Sequence, residues 1–188
     1  VAWGDVDGDG WVDLYLVQGS GRPETGPLPN RLLRNVEGQR FEDITQGSGA
    51  AAVGAGMGAL FFDADGDGDL DLYVSAVFSH LDYQPAQGKA IDAGYGAQML
   101  FENTGDLEFL DVTAASGLVI ETDERSLIGD TSVSGAWGDY DSDGHPDLYI
   151  SRFGHTLDRE VAGMPNILYH NNGDGTFTDV TSKAGVSN

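Results

Sequence analysis

The 188 residues carry 9 Lys+Arg against 31 Asp+Glu, a formal net charge of −22, with 28 Gly and no Cys. That balance disfavours polyanionic partners such as nucleic acid and anionic lipid, and the missing thiols exclude disulfide staples, zinc ribbons and iron–sulfur clusters. Hydrophobic residues make up 40%, too many for a disordered acidic tail, and the length suits one domain or one array of small units. No apolar run approaches the roughly 18 residues of a membrane helix, so no membrane insertion is expected. The chain opens at Val1 inside an expected strand with no signal peptide ahead of it. Processing or fragmentation is therefore expected to have removed its start.

In chain order, the first feature is a short apolar stretch, Ala2-Trp3-Gly4, running into Asp5-Val6-Asp7-Gly8-Asp9-Gly10-Trp11-Val12-Asp13. Leu60-Phe61-Phe62 then leads into Asp63, Asp65, Asp67 and Asp71, and Ala136-Trp137-Gly138 leads into Asp139, Asp141, Asp143 and Asp147. All three stretches read D-x-D-x-D-G-x-x-D. Four carboxylates within nine residues repel one another unless a cation lies between them. Hard oxygen ligands at alternate positions, followed by a Gly for a sharp turn, suit Ca²⁺; Mg²⁺ prefers fewer carboxylates and tight octahedral geometry. By analogy with helix–loop–helix calcium loops, position 7 supplies a backbone carbonyl, here that of Trp11, Asp69 or His145, which leaves its side chain free to vary. The bidentate Glu at position 12 of such loops is replaced by Leu16, Val74 and Ile150, while position 9 is Asp each time. The segments that follow (Leu14-Tyr15-Leu16, Leu72-Tyr73-Val74, Leu148-Tyr149-Ile150) favour a strand over an exiting helix. About three Ca²⁺ ions are expected, one per loop; the alternative is an Asp/Gly-rich hairpin turn without metal.

After each loop comes an insertion of variable length, about residues 18–29, 78–97 and 153–165. Next is Leu-x-x-Asn (Leu32 to Asn35, Leu100 to Asn103, Leu168 to Asn171), a Gly-bearing turn to Phe41, Phe109 or Phe177, and Asp-x-Thr (Asp43, Asp111 and Asp179 with Thr45, Thr113 and Thr181). Small residues such as Ser116-Gly117 and Ala184-Gly185 form the exit. The Phe positions recur at a constant interval, the signature of a repeat architecture. Each unit reads strand, loop, strand, insertion, strand, turn, strand, which is one four-stranded antiparallel propeller blade. The Gly-broken Ala stretch around residues 50–59 does not read as a helix. The expected fold is all-β, a β-propeller-type array of about three four-stranded antiparallel blades in one repeat domain. Blade 1 spans 1–49 with its start truncated, blade 2 spans 50–117 and blade 3 spans 118–188.

These loops and their inter-strand setting resemble FG-GAP/VCBS repeats, the calcium-loop blades of integrin α-subunit propellers and of bacterial surface and secreted proteins. They are also similar to the repeats of ASPIC/UnbV-type proteins. The Phe-Gly and Gly-Ala-Pro signatures are degenerate here: Gly54 to Ala59 and Arg152-Phe153-Gly154 match in part. The resemblance implies a propeller of about seven blades whose loops bind Ca²⁺ on one face. Carried over by position, it assigns Asp5, Asp7, Asp9 and Asp13, then Asp63, Asp65, Asp67 and Asp71, then Asp139, Asp141, Asp143 and Asp147 as ligands.

Three blades do not close a ring of the usual 4–8. Further blades in a longer chain are expected to complete it, or a second copy making six. Ca²⁺ is expected to be structural, and the millimolar calcium that such loops need points to an extracellular, cell-surface or periplasmic setting. Neither G-x-S-x-G, H-E-x-x-H nor a P-loop occurs, so no enzyme is expected. His145 sits where only the backbone is wanted, and His170, aligned with Arg34 and Glu102, reads as an exposed strand residue. Glu42, Glu108 and Glu160 read as solvated. Trp3, Phe61 and Trp137 at one repeated position, and Tyr15, Tyr73 and Tyr149 at another, read as blade core. Loops that vary over a repeating scaffold carry specificity, which makes His80, His155, Tyr83 and Tyr95 in or beside the insertions candidates for contact with a protein or glycan ligand. The favoured function is a non-catalytic calcium-binding adhesion or ligand-binding platform; the alternative is the accessory propeller part of a larger secreted enzyme, such as a polysaccharide-degrading one.

Overall fold

Tyr, Leu, Val and Ile dominate the segments after the acidic loops, and such residues favour a pleated, packed backbone over a helix. The computed structural model describes residues 1–18, 28–52, 55–77, 98–118, 132–152 and 165–187, and its elements follow that preference. Strands β1 (Ala2–Gly4), β2 (Asp13–Leu16), β3 (Arg31–Val36) and β4 (Arg40–Asp43) form one sheet in sequential order. The second sheet is β5 (Ala55–Phe62), β6 (Asp71–Val77), β7 (Gln98–Asn103) and β8 (Phe109–Asp111). The third is β9 (Ser132–Gly138), β10 (Asp147–Arg152), β11 (Ile167–Asn171) and β12 (Phe177–Asp179), followed by the single helical turn α1 (Thr181–Ala184). All pairings are antiparallel. Each sheet is a propeller-like blade, and among the described residues the three blades do not close into a ring.

The blades share one register. Trp3 lies opposite Leu14, Phe61 opposite Leu72 and Trp137 opposite Leu148. Side chains alternate between faces along a strand, so β6 sends Leu72 and Val74 into the core shared with the first blade and Tyr73 into the core shared with the third. The stretch from Ala55 is strand, as its lack of a helical pattern implied. It carries a register shift between Gly56 and Gly58, a bulge of the kind that bends a strand.

Two repeated motifs prove to be backbone fasteners. In Asp-x-Thr, the Thr N–H and hydroxyl both donate to the Asp carboxylate, as in Thr181 to Asp179 at 2.9 and 2.6 Å. The same hydroxyl accepts the Leu N–H of the third strand at 2.9 Å in every blade: Leu32 to Thr45, Leu100 to Thr113, Leu168 to Thr181. In Leu-x-x-Asn, the Asn Oδ1 accepts a turn N–H, from Gly38, Gly105 or Gly173.

The same three contacts join blade 2 to blade 1 and blade 3 to blade 2. First, an aromatic residue on the leading strand meets a Tyr of the preceding blade: Phe61 on Tyr15 (ring centroids 6.4 Å apart) and Trp137 on Tyr73 (5.8 Å). Second, an Asn Nδ2 donates to a loop carbonyl of the preceding blade: Asn103 to Val6 and Asn171 to Ala64, both 2.9 Å. Third, the N–H of the fourth-strand Phe donates to a Ser carbonyl at the exit of the preceding blade: Phe109 to Ser48 (2.7 Å) and Phe177 to Ser116 (2.8 Å).

Trp3 departs from the expectation of blade core: it is exposed and touches Phe41 edge-on. Its equivalents owe their cover to a preceding blade, and Trp3 has none among the described residues. Tyr15 and Tyr73 are buried as expected, whereas Tyr149, on the far face of blade 3, is half-buried.

Glycine at the blade exit is required by the close approach. A Cβ on Gly49 would stand 2.0 Å from the Phe109 carbonyl oxygen, and φ is +79°. Gly49→Ala should therefore cost about 1–3 kcal/mol through strain and overpacking. At Gly185 (φ +71°) no atom lies within 4 Å, so Gly185→Ala should lose only the smaller cost of a left-handed residue. Urea midpoints of the two variants check the difference; equal losses would contradict it.

Asp43 supplies a pH signature. Hydrogen bonds from Thr45 and Arg31 hold its carboxyl down at about 2. With the folded value below the unfolded one, the stability it contributes is present above the ordinary carboxylate range and lost as pH falls through about 2. An NMR titration of the Asp43 side-chain carbonyl should show that midpoint in the native protein, and Thr45→Val should move it upward.

Candidate metal centre

Each acidic loop bridges the first two strands of its blade, residues 5–12, 63–70 and 139–146. The chain turns because positions 4 and 6 are left-handed: Gly8 and Gly10 (φ 69° and 89°), Gly66 and Gly68 (81° and 99°), Ser142 and Gly144 (62° and 96°). Those turns aim backbone N–H groups inward at the carboxylates. Asp5 accepts from the N–H groups of Asp9 (3.1 Å) and Gly10 (2.9 Å), and Asp139 accepts from Asp143 and Gly144, both 3.1 Å. Asp63 accepts from Gly66 (2.7 Å) and Gly68 (3.1 Å).

Position 9 is the base of the loop. Asp13, Asp71 and Asp147 are buried at the start of β2, β6 and β10, and each carboxylate takes one backbone N–H on each oxygen. For Asp13 these are Val6 (3.0 Å) and Asn35 (2.7 Å); for Asp71, Ala64 (2.7 Å) and Asn103 (2.8 Å); for Asp147, Tyr140 (2.9 Å) and Asn171 (2.9 Å). This carboxylate therefore ties the loop to the third strand. Burial, set against those hydrogen bonds, pushes the Asp71 carboxyl up to about 7, with the charges of Asp65 and Asp67 adding to the rise. Asp13 and Asp65 are raised for the same first reason, loss of water.

Oxygens of Asp5, Asp7 and Asp13 lie within 4.8 Å of one another, as do those of Asp63, Asp65 and Asp71. In the third loop, Asp139, Asp141 and Asp143 converge in this way, and Asp141 and Asp147 converge with a nitrogen of His170. Positions 1, 3 and 9 are thus brought together in the first two loops, whereas Asp9 and Asp67 stand outside those tight sets. Trp11 and His145 lay their side chains over the glycines of the next turn: a Cβ on Gly38 or Gly173 would lie 2.6 Å from them. Asp69 is exposed. Three convergent carboxylates, partly desolvated in the first two loops, form a hard-oxygen donor set that fits a calcium-sized cation.

Chemistry differs at one position that the sequence reading placed on the surface. His170 is half-buried, with Nδ1 3.1 Å from Asp147 Oδ1 and 3.4 Å from Asp141 Oδ2. Its equivalent Arg34 enters the first loop, with Nε 2.6 Å from Asp7 Oδ2, an ion pair without hydrogen-bond alignment, and Nη2 3.2 Å from Asp9. Glu102 lines a cavity together with Asp65, Asp71 and Asp174. The signal available in sequence was the alignment itself, since a residue two places after the Leu of the third strand faces the loop in every copy. Glu42 pairs with Arg40 and Glu108 is exposed, as expected of solvated positions. His80, Tyr83, Tyr95, His155 and Glu160, and most of the three insertions, lie outside the described residues.

Repeated four-stranded sheets with a carboxylate loop at one end of each define a propeller-type repeat protein. Residues 5–74 match a family model described as FG-GAP-like repeat, so the chain carries an FG-GAP-like repeat over that span. The match runs from the first acidic loop through the second into β6. A search of curated proteins found no match. No helix among the described residues is long and apolar enough to cross a membrane.

The two classes of loop carboxylate should separate on mutation. Asp71→Ala leaves two buried N–H groups unpaired and should cost about 2–6 kcal/mol even in chelator, at roughly 1–3 kcal/mol for each donor. Asp65→Asn should leave the chelated protein as stable or more so, because it removes a desolvated charge. Denaturant titrations in EDTA check this; equal losses in both variants would contradict the division of labour.

Proposed function

We propose that the chain is a non-catalytic calcium-binding propeller module, an extracellular adhesion or ligand-binding platform whose Ca²⁺ ions brace the hairpin at the head of each blade. The observation that carries the reading is the convergence of carboxylates at the head of each blade: Asp5 and Asp7 with the buried Asp13, Asp63 and Asp65 with the buried Asp71, and Asp139, Asp141 and Asp143, of which Asp141 also meets the buried Asp147. Asp5, Asp7 and Asp13, with Asp9 and the Trp11 carbonyl, would hold the first ion. Asp63, Asp65, Asp67, Asp71 and the Asp69 carbonyl would hold the second, and Asp139, Asp141, Asp143, Asp147 and the His145 carbonyl the third. The ion would supply charge neutralisation and a fixed loop shape. The carboxylates themselves are engaged by loop N–H groups, an arrangement suited to holding rather than to exchanging protons with a substrate. The FG-GAP-like match and the integrin-like resemblance support a surface role, and the variable insertions are where a protein or glycan ligand would be read.

Calcium should stabilise the fold by about 2.7 kcal/mol per site at a hundredfold excess over Kd, so that it raises the melting temperature and chelator lowers it. Isothermal titration should count three ions, and a melting temperature indifferent to millimolar calcium would refute the reading. Arg34 places a fixed cation against the first loop, so Arg34→Gln should tighten that site roughly fivefold by removing about 1 kcal/mol of repulsion. Glu102 adds negative charge beside the second loop and should make it the tightest of the three, a ranking that site-by-site Asp→Asn titrations resolve.

A further inference from the structure

Arg34, Glu102 and His170 occupy one place on the third strand of their blades, and their chemistry differs there in kind. A guanidinium has no lone pair to give a metal and Glu102 adds one more oxygen, whereas an imidazole offers a nitrogen. In the first two loops the converging atoms are all oxygens, from Asp5, Asp7 and Asp13 and from Asp63, Asp65 and Asp71. In the third, the set that contains the position 9 carboxylate is Asp141, Asp147 and His170, so the imidazole enters it in place of the position 1 carboxylate. His170 Nδ1 lies 3.1 Å from Asp147 Oδ1 and 3.4 Å from Asp141 Oδ2. Two donor atoms each about 2.0–2.1 Å from a tetrahedral metal stand about 3.3 Å apart, close to both of these spacings. A single Nδ1 proton can serve one of the two carboxylates, while a cation seated among the three atoms serves both. The groups are also held in place. Tyr140 meets the His170 ring edge-on with centroids 6.2 Å apart, and the N–H groups of Tyr140 and Asn171 fix Asp147.

We propose that the third loop is a site for a divalent transition metal of the zinc class, with His170 Nδ1, Asp141 and Asp147 as its ligands, while the two all-oxygen loops keep calcium. The proposal deepens the reading of this loop as a cation site and rests on it. What separates the set from an acidic cluster is the nitrogen: imidazole suits Zn²⁺ and its borderline neighbours, whereas Ca²⁺ takes oxygen. Three protein donors leave a fourth tetrahedral position for a water molecule or a ligand atom. Calcium alone still finds the converging oxygens of Asp139, Asp141 and Asp143, so the count of three calcium ions holds when no transition metal is present. With both ions present, the third loop exchanges and the other two do not.

Calorimetric titration of the 188-residue chain with ZnCl₂ in millimolar calcium tests it, together with NMR of the His side chains. The expected result is one equivalent of Zn²⁺ bound despite the calcium, with a shift of the His170 Nδ1 resonance as it binds. Removing a group that merely supports a metal ligand costs about 10–100-fold in affinity, so His170→Gln, which removes the ligand, should weaken this equivalent by at least about a hundredfold. His145→Gln should leave it in place, because His145 covers Gly173 and lies outside the converging set. Melting curves with and without calcium check that both variants fold. Zinc binding that survives His170→Gln, a shift at another His ring in place of His170, or full displacement of Zn²⁺ by millimolar calcium overturns the proposal and leaves the calcium reading intact. A melting temperature unmoved by calcium refutes that reading separately, whatever Zn²⁺ does.

Discussion

One carboxylate per blade holds the architecture in register. Asp13, Asp71 and Asp147 each accept two backbone N–H groups, one from the loop that has just turned and one from the third strand. Hydrogen bonds to an ionised acceptor are among the stronger ones, and here the acceptor has little water to compete for it. The cost is visible in Asp71, whose carboxyl is driven up to about 7 by that same burial. A negative charge is thus needed for the fold and disfavoured by the fold. The further carboxylates a few ångströms away aggravate the conflict unless a cation resolves it.

The second constraint is translational. Trp137 on Tyr73 and Phe61 on Tyr15 are one contact written twice, as are Asn171 to Ala64 and Asn103 to Val6. Such repetition makes stability a sum of blade and junction contributions, so the loss of any one junction leaves its neighbours intact in kind. It also explains residues whose periodicity alone gave no reason. The exit glycines make room for the next blade's backbone, and the Asn of Leu-x-x-Asn joins its own loop, its own turn and the blade before it.

Much of this was legible in the sequence because repetition multiplies a weak local signal. A single Asp-rich turn is common, whereas three in the same setting fix the strand order on either side. Trp3 shows where that logic stops: a repeat says which positions are equivalent, and burial at an interface position depends on whether a neighbour is there. His170 shows a different failure. Arg34, Glu102 and His170 share no charge and no shape, so a reading built on similarity passed over them, yet what they share is a place facing the loop. The Asp-x-Thr pairs were found as a pattern, but their role as a hydroxyl relay from the Leu N–H to the Asp carboxylate needed the cross-strand register.

Loop and junction are mechanically joined, which gives the metal centre a reach beyond its own hairpin. Asn103 donates to the carbonyl of Val6, and Val6 sits between Asp5 and Asp7 while its own N–H is held by Asp13. Ala64 stands in the same relation to Asp63, Asp65 and Asp71, with Asn171 as its partner. Any ion that fixes the first loop therefore fixes the acceptor by which blade 2 is hung, and the second loop does the same for blade 3. At the third loop the equivalent acceptor is the Tyr140 carbonyl. A calcium site there would order a contact directed outward, so the ion's mechanical consequence at that end falls on the outer face of the third blade.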